Sequence, residues 1–299
     1  MTPFAGLFAG MLANVPPIPG IRRSTLTVPG PDGSEITLYV HRPENAEGEL
    51  PGIYHIHGGG MVLLAAANPE YVWWRDRQAA AGMVVVGVEY RNGAGKLGPY
   101  PYPAGLNDCV AGIQYVLDNL ADLGISHLIV SGESGGGNLT LGTTMRALRE
   151  GWVDQIAGVY AECPYISGAY ADPPPVLTSL TENNGYFLRC DLMGLLVEAY
   201  DPGAKHATDP VCWPWHAQPS DLTGFPPTVI SVNQLDPLRD EGLQFLAKLW
   251  AAGVDARGRI VPGTTHAGDI LLAPVNAKGV NDATVDDIRA FAYSLGQRG

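Results

Sequence analysis

With 299 residues, 46% of them hydrophobic, the chain can form one large α/β domain or two small ones, and the lack of a dividing linker or charge run favours one domain with a full apolar core. Its net charge of −12 speaks against a nucleic-acid partner, because binding phosphates requires a basic face. The four cysteines, Cys109, Cys163, Cys190 and Cys212, show no C-x-x-C spacing and are expected as free, mostly buried thiols.

Residues 1–15 are apolar but lack a positive leader, and their apolar run is too short to span a bilayer. Phe4, Leu7, Phe8, Met11 and Leu12 fall on one helical face, so a short helix covering a hydrophobic surface is expected, in a cytoplasmic protein without a membrane span. Two alternating segments follow, 24–28 and 35–42, joined at the turn 29–33 as antiparallel strands. Short apolar runs then recur at 52–56, 83–88, 126–131, 156–161, 227–232 and 256–261, the pattern of strands buried on both faces of a parallel sheet. Helical windows lie between and after them, at 70–81, 104–123, 138–149, 239–252 and 283–295. The alternation predicts an α/β fold: a mostly parallel central sheet of about eight strands, flanked by helices, in a single domain spanning 1–299. Residues 164–225 interrupt it. They are rich in Pro and aromatics, hold one or two helices near 190–200, and read as a specificity-bearing insertion such as a cap, with a plain surface excursion as the alternative.

Gly132-Glu133-Ser134-Gly135-Gly136 sits between the strand at 126–131 and the helix at 138–149. Gly-x-Ser-x-Gly in a strand-to-helix turn is the nucleophile elbow of α/β-hydrolases, a tight bend that lifts the serine oxygen above the sheet edge. A serine needs a base, and the base needs an acid to fix its tautomer. Asp236 follows the strand at 227–232 and His266 follows the strand at 256–261, both at the carboxyl edge where open sheets gather their sites. Asp240 is the nearest rival acid, and Asp236 could instead cap the following helix. His41, His127, His206 and His216 are poorly placed rivals for the base.

His57-Gly58-Gly59-Gly60 follows the strand at 52–56. Three glycines let backbone N–H groups turn towards a developing oxyanion, which can supply roughly 3–4 kcal/mol per donor. A phosphate loop would need Gly-Lys-Ser/Thr or Gly-x-Gly-x-x-Gly after a strand, and neither is present. His55-x-His57 could pair on a metal, but no further ligand follows at suitable spacing. Trp73 and Trp74 could line a pocket or pack in the core. Trp213-Pro214-Trp215 could line the site mouth or join cap to body.

These blocks, with Asn138-Leu139 after the elbow, Tyr90-Arg91 before Pro101, Pro103-Ala104 and Asp108, and the block 236–242, resemble the hormone-sensitive-lipase-like carboxylesterases from about residue 24 onward. The resemblance implies an α/β-hydrolase fold and hydrolysis of small to medium hydrophobic carboxylic esters through an acyl-enzyme. It assigns Ser134 as nucleophile, His266 as base and Asp236 as its orienter. The N–H groups of Gly59, Gly60 and Gly135 become the oxyanion hole. It also implies no cofactor and no metal, a cap built from 1–23 and about 164–225, a small-molecule ester as partner, and a homodimer through an edge strand. Most relatives carry Asp at position 133, Ala at 135 and Leu-Ala-Pro-Glu after Tyr-Arg, where this chain has Glu, Gly and 92–96; its N-terminal arm is also short. Two alternatives share the fold: an amidase or peptidase, and a non-catalytic small-ligand receptor, which would be expected to lack a triad member.

Overall fold

A computed structural model describes residues 15–271 and 278–296. The helix expected within 1–15 lies almost wholly outside them, as do residues 1–14 of the expected cap segment 1–23; its last three residues belong instead to the first strand of the sheet.

Strands β1 (Ile21–Pro29) and β2 (Glu35–Pro43) form the antiparallel hairpin, with Thr25 opposite Tyr39. β3 (Leu50–Ile56), β4 (Val84–Glu89), β5 (Ile125–Glu133), β6 (Gly158–Glu162), β7 (Thr228–Asn233) and β8 (Ala256–Val261) run parallel. The eight strands share one sheet in the order β1-β2-β4-β3-β5-β6-β7-β8. Because side chains alternate faces along a strand, the apolar runs feed two cores at once. Tyr54, Val84, Val86 and Val130 pack into one layer; Ile53, Val85 and Ile129 pack into the other.

Helix α1 (Pro69–Ala80) and the last helix, α8 (Lys278–Leu295), cover the second layer. The first is covered by α2 (Ala104–Asp118), α4 (Gly135–Glu150) and α7 (Arg239–Ala251). The expected helix at 104–123 is two. It breaks at Asn119, whose side chain bonds back to the Tyr115 carbonyl at 2.7 Å, and α3 (Leu120–Leu123) follows. Helix α4 begins three residues earlier than the expected 138, directly on the elbow. Strand β6 begins two residues later than the expected 156, after a 3₁₀ turn at Val153–Gln155.

Between β6 and β7 the chain leaves the sheet and forms α5 (Ser179–Glu182), α6 (Cys190–Tyr200) and several 3₁₀ turns. Carboxyl groups of α7 anchor this excursion, buried Glu241 and partly buried Asp240. Glu241 accepts hydrogen bonds from the Ile166 N–H (2.7 Å) and the Tyr170 hydroxyl (2.8 Å). Asp240, the rival acid, accepts from the Thr178 hydroxyl and the Ser179 N–H, both at 2.8 Å. Trp213 packs edge-on against Tyr165 and Tyr200, and Trp215 donates to Gln244 of α7 at 2.9 Å. Trp215 therefore joins insertion to body, whereas Trp213 packs among aromatics of the insertion itself. All four cysteines are free and buried.

Candidate active site

β5 ends at Glu133 and α4 begins at Gly135, so Ser134 alone makes the turn, with φ 59° and ψ −121°. A non-glycine residue at positive φ is strained by about 1–3 kcal/mol and needs its surroundings to hold it. The Ser134 N–H donates to the Glu162 carbonyl at 2.9 Å, and its own carbonyl accepts from Asn138 (3.1 Å) and Tyr165 (3.0 Å). Gly135 sits against the loop at 58–61: a Cβ there would lie 2.7 Å from the Gly60 nitrogen and 2.6 Å from that of Met61. This close approach leaves no room for a side chain at position 135 unless the loop shifts.

Gly59 and Gly60 adopt φ of 101° and 63°. Among the described residues, the N–H groups of Gly59, Gly60 and Gly135 donate no hydrogen bond, which leaves them available to an oxygen in front of Ser134. The loop is fixed from below by a residue that the motif leaves unspecified. Glu133, fully buried, accepts the Gly58 N–H at 2.6 Å on one oxygen, and its other oxygen pairs with His55 Nε2 at 2.9 Å. His57 donates from Nδ1 to the Gly58 carbonyl at 2.8 Å and stacks on Tyr90 with ring centres 4.3 Å apart. Burial pushes its pKa down to about 3, so the ring stays neutral. The His55-x-His57 pair therefore builds the loop.

Asp236 Oδ2 lies 2.7 Å from His266 Nδ1, while Oδ1 accepts the Leu238 N–H at 3.0 Å. The carboxylate thus pairs with the histidine; it also accepts from Leu238, but it does not cap α7, whose N-cap is Leu238 without a side-chain cap bond. The loop carrying His266 hangs on Asn233 at the end of β7. Asn233 accepts the Ala267 N–H (3.0 Å) and donates to Thr264 Oγ1 (2.7 Å) and Asp269 Oδ1 (2.8 Å). Asp269 in turn accepts from Thr284 of α8 at 2.7 Å.

Ser134, His266, Gly59 and Gly60 line one cavity of about 90 Å³. Its remaining described walls are mainly apolar: Leu63 and Leu64 after the glycine loop, Phe187, Leu188, Met193 and Leu196 from the insertion. Tyr71 of α1 also faces it, with a buried hydroxyl that has no hydrogen-bond partner among the described residues. Sequence reasoning weighed Trp73 and Trp74 for this wall and missed Tyr71. Trp74 is in the core, and Trp73 packs against the same layer. The rival histidines are engaged elsewhere: His41 with Asp76 at 2.8 Å, His127 with the Ala292 carbonyl at 2.8 Å, His216 with the Ser167 carbonyl at 3.1 Å, and His206 against the Tyr102 ring. No described helix is long and apolar enough to cross a membrane.

A family profile described as alpha/beta hydrolase fold matches residues 53–269. The chain is similar to carboxylesterase NlhH of Mycobacterium tuberculosis, 32% identical over 256 residues that cover 83% of this chain and 76% of that protein. It is also similar to an arylesterase of Saccharolobus solfataricus, 30% identical over 222 residues, 72% of this chain and 67% of that one. Among solved structures, brefeldin A esterase, described as a bacterial homologue of human hormone-sensitive lipase, superposes with a TM-score of 0.91 at 40% identity, covering 99% of this chain and 87% of that one. Esterase Est22 follows at TM-score 0.88 and 38% identity, covering 96% and 86%. The chain therefore belongs to the α/β-hydrolase family, among relatives of the hormone-sensitive-lipase-like esterases.

Proposed function

We propose that the protein is a serine carboxylesterase that cleaves small, uncharged carboxylic esters through an acyl-enzyme. One observation carries the reading: the elbow serine and an Asp-paired histidine face the same cavity as a loop of unpaired backbone N–H groups. In this mechanism His266 takes the Ser134 proton as the oxygen attacks the ester carbonyl. Asp236 holds the proton on Nδ1, so that Nε2 is the basic nitrogen, and stabilises the imidazolium that forms. The N–H groups of Gly59, Gly60 and Gly135 receive the tetrahedral oxyanion. His266 returns the proton to the leaving alkoxide, and water repeats the sequence to release the acid.

The apolar side chains around the cavity favour an uncharged acyl group, and a volume near 90 Å³ favours a short one. The insertion at 164–225 is read as the cap of a single domain, without residues 21–23, which belong to β1. Replacing Ser134 with Ala should lower turnover of p-nitrophenyl acetate by about 10⁴-fold or more while the circular dichroism spectrum is unchanged. Near-normal turnover in that variant would remove the assignment. Across p-nitrophenyl esters, kcat/KM should peak at short acyl chains and fall as the chain lengthens.

A further inference from the structure

Cys163 follows β6 directly and lies beside the Asp–His pair. One donor atom each from Cys163, Asp236 and His266 falls within 4.8 Å of the other two, and all three residues are buried. We propose that these three side chains form an inhibitory site for a soft divalent cation such as Zn²⁺ or Cd²⁺. The inhibitory part rests on the esterase reading; the binding part does not.

Thiolate, imidazole and carboxylate together suit zinc and cadmium far better than magnesium or calcium. Ligand atoms on a tetrahedral zinc stand about 3.5 Å apart, so the widest gap has at most about 1.3 Å to close. The charges also balance. A thiolate and a carboxylate neutralise a dication, so the assembly can exist where an unpaired charge could not. Without a cation the thiol keeps its proton, since burial, with Asp236 as the foremost charged neighbour, pushes it well above its ordinary range. On binding, Sγ, one carboxylate oxygen and one ring nitrogen each give an electron pair to the cation. The thiol proton passes to water, and the imidazole keeps its single proton on the other nitrogen.

The backbone that carries the thiol is held in place: Cys163 sits at φ 35°, and its N–H donates to the Ser231 carbonyl at 2.7 Å. The ion's path is the cavity, which His266 lines. Whichever ring nitrogen binds, catalysis stops. Coordination at Nδ1 breaks the Asp236 pair, and coordination at Nε2 occupies the base.

The test uses Zn²⁺ against hydrolysis of p-nitrophenyl acetate and Cd²⁺ for the ultraviolet thiolate-to-metal absorption band. Each inhibition constant is expressed against the same variant's own metal-free rate. Zn²⁺ should inhibit the wild-type protein reversibly, with recovery on adding EDTA. In Cys163→Ser and Cys163→Ala the inhibition constant should rise about 100-fold or more, the loss of a ligand reaching at least the upper end of outer-shell effects. The cadmium band should vanish in Cys163→Ala and persist in Cys190→Ser. Unchanged zinc inhibition in both Cys163 variants, or a cadmium band that survives Cys163→Ala, would overturn the site. Absence of Ser134-dependent turnover in the metal-free protein would defeat the esterase reading instead, and the cadmium band would still decide the binding.

Discussion

The floor of the cavity and its outer wall are built from opposite materials. On the floor, side-chain carboxyl and amide groups are tied by hydrogen bonds: Glu133 to Gly58 and His55, Asp236 to His266 and Leu238, Asn233 to the histidine loop. The wall from the insertion is apolar and reaches solvent. Met193 and Leu196 of α6 face the cavity, while Leu192 and Leu195 on the same helix are 45% and 67% exposed. Hydrogen bonds fix atoms to a few tenths of an ångström and fail when one partner is removed. Apolar contacts tolerate exchange at modest cost. Under the proposed mechanism the contrast amounts to a division of labour, with the rate assigned to the floor and the choice of acyl group to the wall.

The sharpest way to break this comparison is to disturb the floor where geometry must survive. Asp236→Asn keeps the shape but offers an amide to Nδ1, so the histidine takes the wrong tautomer; kcat should fall about 10⁴-fold with little change in KM. A merely structural Asp236 would instead lower the melting temperature and leave the rate of the folded fraction intact. Asn233→Ala comes next. It frees the Ala267 N–H and the Thr264 and Asp269 side chains, and His266 loses its fixed position. A displacement of about 1 Å can cost on the order of 100-fold in rate. Steady-state kinetics should show that loss in kcat, with Asn233→Asp recovering less than the wild-type rate because Asp269 would face a second carboxylate.

Glu241 tests how the wall is attached. Burial pushes its carboxyl up to about 8 from 4.5 in the unfolded chain. Between those values the folded protein holds a proton that the unfolded chain has released. This group's contribution is therefore fully present below pH 4.5 and is lost as pH rises through about 8. Glu241→Gln cannot titrate, so its melting temperature should fall less than that of the wild type between about pH 5 and about pH 9, measured by calorimetry. Parallel declines would show that the buried carboxyl is not responsible. The smallest effect belongs to the wall itself: Leu196→Ala should move the preferred acyl chain longer by one or two carbons and change kcat/KM about tenfold, at nearly constant rate on acetate.

The sequence revealed the floor better than the wall, for a physical reason. The elbow and the glycine loop are backbone devices, and their glycines announce them: a Cβ at Gly136 would run into the Ile56 carbonyl. Asp236 and His266 were legible because open sheets gather their loops at one edge. Glu133 was not, since its partner Gly58 is 75 positions away and the motif leaves its identity open. Asn233 escaped for the same reason, with Ala267 34 positions on. Tyr71 was hidden beside two larger indoles, and which residue of an apolar helix faces a cavity depends on the rotation of that helix in the fold. The break at Asn119 needed the side-chain bond to Tyr115, which periodicity does not register.

The central claim is that Ser134 is the nucleophile of an acyl-transfer site, and a fluorophosphonate probe addresses it directly. Incubated with the intact protein and mapped by tandem mass spectrometry, the probe should attach one equivalent to Ser134, with hydrolysis lost in proportion to labelling. An unlabelled Ser134 in protein that still hydrolyses esters, or a label on another residue accompanied by full loss of activity, would contradict it.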